Sequence, residues 1–143
     1  MAQLAAHCAF RVGNVFLALP VRAVQEIIDN PRHTRVPGAH PAVTGLVNLR
    51  GHVLTSISMH HILSGNSDPA EVLSLICEFR EETMSLLVDE VIGVFNWDLS
   101  HMQPMSVAPK TYRKFISGVF LQGERDYLLL DAQQLIDHLL STS

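Results

Sequence analysis

The sequence predicts a mostly β protein made of two similar β units and closed by one C-terminal helix. Three observations carry that reading: short apolar or alternating runs cut by turn residues, a repeat near half the chain length, and one amphipathic stripe at the end. A chain of 143 residues, 48% hydrophobic and 17% charged, is long and apolar enough to bury a core. Either half alone would be marginal, so the halves are expected to pack tightly on each other.

The elements follow in order. Cys8–Val12 and Val15–Leu19 flank Gly13-Asn14, a two-residue hairpin signal. Pro20 stops the second strand. Val21, Val24 and Ile28 then recur at helical spacing, so Val21–Ile28 is expected to form one or two helical turns. Asn30–Pro41, with three prolines and Gly38, reads as an irregular loop. Thr44–Leu49 and Val53–Met59 form a second hairpin about Arg50-Gly51. Alternation puts Val53, Thr55, Ile57 and Met59 on one face and Ser56 and Ser58 on the other. Gly65-Asn66-Ser67-Asp68-Pro69 is a linker. Strands resume at Val72–Phe79 and Ser85–Val88 around Glu81-Glu82-Thr83, and again at Ile92–Trp97. A long loop through Pro104 and Pro109 leads to a last hairpin, Gly118–Gln122 and Tyr127–Leu130. Asp131 is the expected N-cap of a helix over Ala132–Leu140, whose Leu135, Ile136, Leu139 and Leu140 form a stripe facing the core.

The repeat links these elements in pairs. Val21-x-x-Val24-x-x-Ile27 recurs as Val88-x-x-Val91-x-x-Val94, and Val43-Thr44-Gly45 as Ile116-Ser117-Gly118. The offsets run from 67 to 73 residues. Two pseudo-repeated halves, about 8–64 and 72–140, explain this; strands exchanged between the units are compatible with it.

Composition narrows function. Ten Lys and Arg against fourteen Asp and Glu give a net charge of −4, which argues against nucleic acid as the main partner. The two cysteines, Cys8 and Cys77, cannot make a disulfide framework and fall in apolar strands, where a buried, inert thiol is expected. No apolar run reaches the roughly 18 residues of a membrane span, and Met1-Ala2-Gln3-Leu4 lacks a basic signal region, so direct membrane insertion is not expected and the cytoplasm is. There is no Gly-x-Ser-x-Gly elbow and no Gly-rich phosphate loop, and nothing orders Ser, His and Asp into a triad. Eight histidines show no i, i+4 pair; adjacent His60 and His61 on a strand would point to opposite faces. No metal and no cofactor are expected. Glu81-Glu82 reads as a solvated turn, Asp89-Glu90 as a charged edge or a solubilising pair, and Trp97 with Phe95 as core.

One stretch does not reduce to packing. In Gly45-Leu46-Val47-Asn48-Leu49-Arg50-Gly51, polar Asn48 and Arg50 alternate with apolar Val47 and Leu49. Gly51 permits a tight turn with positive φ. An arginine held at a strand end is a planar donor suited to a carboxylate, either within the chain or on a partner. Glu26 is the candidate within the chain. An exposed ion pair of little consequence and an interface residue are both open on this reading.

Val24-Gln25-Glu26-Ile27, Val36-Pro37 and Val43-x-Gly45-Leu46-Val47-Asn48-Leu49-Arg50-Gly51 together resemble the signature of CheW-like domains, coupling proteins of bacterial chemosensory arrays. Leu86-Leu87-Val88-Asp89-Glu90-Val91, then Gly118-Val119 through Leu128-Leu129-Leu130-Asp131, match the second part in order and spacing. The resemblance covers residues 8–140 as a single domain. It implies two SH3-like five-stranded β-barrels on a shared hydrophobic core, and a non-enzymatic adaptor. The implied partners are a chemoreceptor cytoplasmic tip and the regulatory domain of a CheA-type histidine kinase, in arrays beside the membrane. It places Glu26 and Arg50 at the partner-binding surface, with Val24, Ile27 and Gly45 near a groove for a receptor helix; Asn48 and Gly51 belong to the same motif. One segment departs from the family: Thr55-Ser56-Ile57-Ser58-Met59 stands where Pro-Val-Ile-Asp-Leu is usual. A scaffold on the same fold, serving a type IV pilus or other non-flagellar pathway, is the alternative.

Overall fold

The computed structural model describes residues 3–29, 31–65, 72–104 and 108–141. Ten strands and two helices run in the order β1 (Leu4–Val12), β2 (Val15–Pro20), β3 (Val24–Asp29), β4 (Val43–Leu49), β5 (His52–Ser58), α1 (Met59–Ser64), β6 (Leu73–Phe79), β7 (Glu82–Val88), β8 (Glu90–Asp98), β9 (Ile116–Gln122), β10 (Arg125–Leu130) and α2 (Ala132–Ser141). They form two five-stranded sheets, ordered β8-β1-β2-β10-β9 and β3-β6-β7-β5-β4. Each sheet has one parallel pair, β2 with β10 and β7 with β5, among antiparallel neighbours.

The two orders are the same arrangement written twice. β1 stands to the first sheet as β6 does to the second, β2 as β7, β8 as β3, β9 as β4 and β10 as β5. Each sheet therefore combines the opening hairpin of one sequence half with the last three strands of the other. The correspondence reaches single residues. Leu17 faces Leu128 across one parallel pair, as Met84 faces Thr55 across the other. Bulges interrupt the edge strands after Val24 and after Val91, and again within β4 and β9. Thr34 bridges Leu46 as Gln103 bridges Val119, drawing the loop after each edge strand over the far edge of the same sheet and closing it towards a barrel.

The core lies between the sheets. Phe10, Leu17, Leu19, Ile57, Leu75, Leu86, Ile116 and Leu135 belong to one buried cluster fed by both halves. Sheet β8-β1-β2-β10-β9 also has its own aromatic interior, in which Trp97 stacks on Phe120 with centroids 4.7 Å apart. Trp97 donates to Gln122 Oε1 at 2.8 Å, satisfying its one polar atom. α2 begins as expected: Gln134 N donates to Asp131 Oδ1 at 3.1 Å, and Leu135 and Ile136 are buried.

Several expectations are corrected. Val21–Ile28 is not two helical turns: Val21–Ala23 make one 3-10 turn and Val24–Asp29 is strand β3. The three-residue step from Val21 to Val24 belongs to that turn, and the four-residue step from Val24 to Ile28 is two periods of a strand whose burial alternates strictly. On β5, Val53 and Thr55 are exposed while Leu54, Ser56, Ile57 and Ser58 are buried, and Met59 starts α1. His60 and His61 sit on that helix, not on a strand. Ser58 Oγ accepts from His61 N at 3.1 Å and caps α1. Glu82 and Thr83 belong to β7, leaving Arg80 and Glu81 as the turn, with φ of 47° and 70°. Asp89 is no edge charge: its side chain is 8% exposed. Beyond Gly65 the linker lies outside the described residues, as do residues 105–107 of the later loop and the side chain of Leu140.

Candidate functional site

The β4–β5 hairpin turns on two residues with positive φ, Arg50 at 51° and Gly51 at 85°. This geometry matches the twist of paired strands. Glycine adopts it freely, whereas arginine does so at a conformational cost, and such positions mark places where the side chain's placement matters. Asn48 secures the turn: its Oδ1 accepts from Gly51 N at 3.0 Å.

So held, Arg50 reaches across the end of the sheet to β3. Its Nη1 donates to Glu26 Oε2 at 2.9 Å and its Nη2 to Glu26 Oε1 at 2.6 Å, a two-pronged pair. The bulge at Gln25 aims Glu26 towards that end. Hydrogen bonding to Glu26 first, and its charge second, hold the Arg50 guanidinium above its usual range. The Arg50 side chain is 69% exposed and Glu26 29%, so the carboxylate is anchored against the sheet and the guanidinium is presented to solvent. Both line a cleft of about 590 Å³ floored by Leu54 and Ile76, with Leu49, His52 and Val53 beside them. Val53 is exposed, so an apolar side chain stands next to the fixed charge.

The remaining motif residues lie elsewhere. Ile27 is exposed further along β3, and Val24 is half-buried against the shared core. Gly45 is buried: a Cβ there would lie 2.6 Å from the Thr34 carbonyl oxygen, so its role is to let the loop after β3 cross β4. The structure thus joins Glu26, Asn48, Arg50 and Gly51 at one end of the sheet, with Val24, Ile27 and Gly45 away from it. Gln25 and Val53 also reach this cleft, although a polar residue at a bulge and an apolar one on an exposed face leave no signal of a site in the sequence.

A second constellation links the halves. Asp89, after β7, accepts from Gly13 N at 2.7 Å and bonds His60 Nε2 through both carboxylate oxygens, at 3.0 and 2.9 Å. Arg11 Nη1 lies 3.6 Å from the same carboxylate. Elsewhere His40, His61 and His138 gather, with His40–His138 ring centroids 5.5 Å apart. Among the described residues no group of three or more His, Cys, Asp or Glu side chains has the geometry to hold a metal. No helix among them is long and apolar enough to cross a membrane.

Comparison with known proteins agrees with this architecture. The chain is 29% identical over 135 residues to Protein PilI of Pseudomonas aeruginosa, a match spanning 90% of this chain and 74% of that protein. It is 25% identical to Chemotaxis protein CheW of Thermotoga maritima over 132 residues, 92% of this chain and 87% of the relative. The crystal structure of scaffolding protein TtCheW from Thermoanaerobacter tengcongensis has the same fold, with a TM-score of 0.80 at 18% identity, covering 91% of this chain and 89% of that one. A match to the CheW-like domain over residues 7–140 completes the case: the chain belongs to the CheW-like family of scaffold and adaptor proteins.

Proposed function

We propose that this chain is a non-enzymatic adaptor of a bacterial chemosensory array, working in the cytoplasm beside the membrane. It joins chemoreceptor tips to the regulatory domain of a CheA-type histidine kinase. The observation that carries the reading is the Arg50–Glu26 pair, anchored on one side and exposed on the other, at the rim of a cleft with an apolar floor. A fixed arginine beside apolar Leu49, Val53, Leu54 and Ile76 has the composition of an interface hot spot. The guanidinium is already positioned, so a partner orders little on binding. Val24 and Ile27 on β3 serve a receptor helix, which lays an apolar face against them.

The match to Protein PilI favours a second reading, in which the array serves a type IV pilus rather than a flagellum. The same fold then binds other array components.

Co-sedimentation of the purified chain with receptor tips and kinase regulatory domain tests both. Arg50→Glu and Glu26→Arg are each expected to weaken kinase binding by about tenfold or more, because reversal sets like charges together in the interface. Their thermal midpoints should change little, because an exposed pair of this kind contributes little to stability. Folded variants that bind equally well would reject this site. Failure to bind any kinase domain, with another array component retained, would select the second reading.

A further inference from the structure

The two loops that close the sheets are held down by different atoms. The loop after β3 crosses β4 with main chain, the Thr34 carbonyl lying over Gly45. After β8, a 3-10 turn at Leu99–His101 sets Met102 beside β9, and Met102 N bonds back to Leu99 O. Met102 Sδ and Cγ are the nearest atoms to where a Cβ on Gly118 would lie, so the bare glycine is the seat of a thioether. At the next residue Gln103 N donates to Val119 O at 2.7 Å and Val119 N donates to Gln103 O at 3.0 Å. A sulfur atom therefore stands beside the bridge that ties this loop to β9.

That residue is open to solvent. Met102 is 41% exposed, whereas Met59 is 0% and Met84 7% exposed. Cys8 and Cys77 are both buried and offer no competing thiol at the surface. A thioether has no proton to lose before it reacts, so access decides which methionine is oxidised. Oxidation also changes what the seat can hold. A sulfoxide is polar and carries an added oxygen on the atom that rests against Gly118. Gly118 is buried, and Val119 and Phe120 beside it are buried and apolar. An S–O dipole pressed there would lose its water without gaining a donor, so the oxidised side chain turns out to solvent.

We propose that Met102 is an oxidation site, converted by hydrogen peroxide to the sulfoxide, and that this change unseats it from Gly118 and loosens the Gln103–Val119 bridge. The sulfur attacks one peroxide oxygen, the O–O bond breaks and an S–O bond forms. Sulfur gives up two electrons, and the second peroxide oxygen leaves as water. Methionine sulfoxide reductases reverse this step, so the loop can be fastened again. The second sheet has no matching point, because a carbonyl oxygen and not a thioether covers Gly45. The site is distinct from the Arg50–Glu26 rim and does not depend on which array the protein serves.

The test is treatment of the full chain with dilute hydrogen peroxide, followed by peptide mapping and amide NMR. Met102 should gain an oxygen at least about tenfold faster than Met59 and Met84. In the oxidised chain the Val119 N–H should exchange with solvent about fivefold faster or more, while the Leu46 N–H of the other bridge keeps its rate. Met102→Leu has an apolar side chain of similar volume and no sulfur, so it should fold like the parent and leave Val119 unmoved by peroxide. The proposal is overturned if Met102 is oxidised no faster than Met59 and Met84, if the oxidised chain keeps its Val119 exchange rate, if Leu46 is released equally, or if Val119 responds to peroxide in Met102→Leu as in the parent. None of these readouts involves a receptor or kinase, so the array assignment stands or falls separately.

Discussion

The Thr34 carbonyl oxygen sits 2.6 Å from where a Cβ on Gly45 would be, and in the other half Gly118 lies just as tightly under Met102. These two glycines are equivalent under the repeat, and each lets a loop cross the last strand of its sheet. The atoms above them differ, however: main chain over Gly45, the end of a flexible side chain over Gly118.

Gly45→Ala therefore has to push the backbone and loosen the Thr34–Leu46 bridge, whose two hydrogen bonds are 2.9 and 2.8 Å. A loss of about 2–3 kcal/mol is expected, the range for forcing extra atoms into a packed site. Gly118→Ala should cost about 1 kcal/mol or less, since Met102 can change rotamer. Urea unfolding of both variants checks the ranking; equal losses would mean that the loop after β3 yields as easily as a side chain.

Much of this fold was legible because its signals are local. Gly13-Asn14 and Arg50-Gly51 announce hairpins by turn chemistry, and Asp131 announces α2 by capping. The misread segments are those where one short element runs directly into another. A 3-10 turn leading into β3 put Val21, Val24 and Ile28 at helical spacing, and β5 passes at Met59 into α1 with no turn residue between them. Of the candidate site, the Arg50–Glu26 contact followed from a motif and a charge. The Asp89 latch did not, because it joins a turn, a helix and a strand end from positions 13, 60 and 89, and no local pattern records such a meeting.

That latch should matter for stability. Asp89→Ala leaves the Gly13 N–H and His60 without their acceptor in a nearly buried place, and a loss of about 3 kcal/mol is expected. Asp89→Asn keeps an oxygen for Gly13 and should cost about 1 kcal/mol. Chemical denaturation of the two variants gives both numbers. If Asp89→Asn were as damaging as Asp89→Ala, the charge and not the acceptor would be what holds the hairpin.

The two cysteines make a kinetic prediction. Both are buried; burial first, then the neighbouring Cys8, push the Cys77 thiol up to about 12, and burial raises Cys8 as well. Thiolate is the reactive form, so neither should react appreciably in the folded state. A chromogenic thiol reagent at pH 8 should label neither cysteine within minutes in buffer and both in guanidinium chloride. Rapid native labelling of Cys77 would mean that β6 opens far more readily than its buried position implies.

Acid sensitivity should come from two histidines, His138 on α2 and His33 in the loop after β3. Partial burial first, then the charge of Lys114, whose Nζ lies 3.4 Å from Nδ1, and then His40 hold His138 below its ordinary value of 6.5. Burial lowers His33 in the same way. Both histidines therefore bind a proton less readily in the folded chain than in the unfolded one. Their contribution to stability is present above about pH 6.5 and is lost as the pH falls below it, towards their depressed folded values. The thermal midpoint should accordingly drop between pH 7.5 and pH 5.5. Lys114→Gln removes the second of the three causes at His138 and should flatten that slope, and His138→Gln should flatten it further. A midpoint that rose on acidification would mean that the protonated imidazole has found a carboxylate, and the direction assigned to His138 would be reversed.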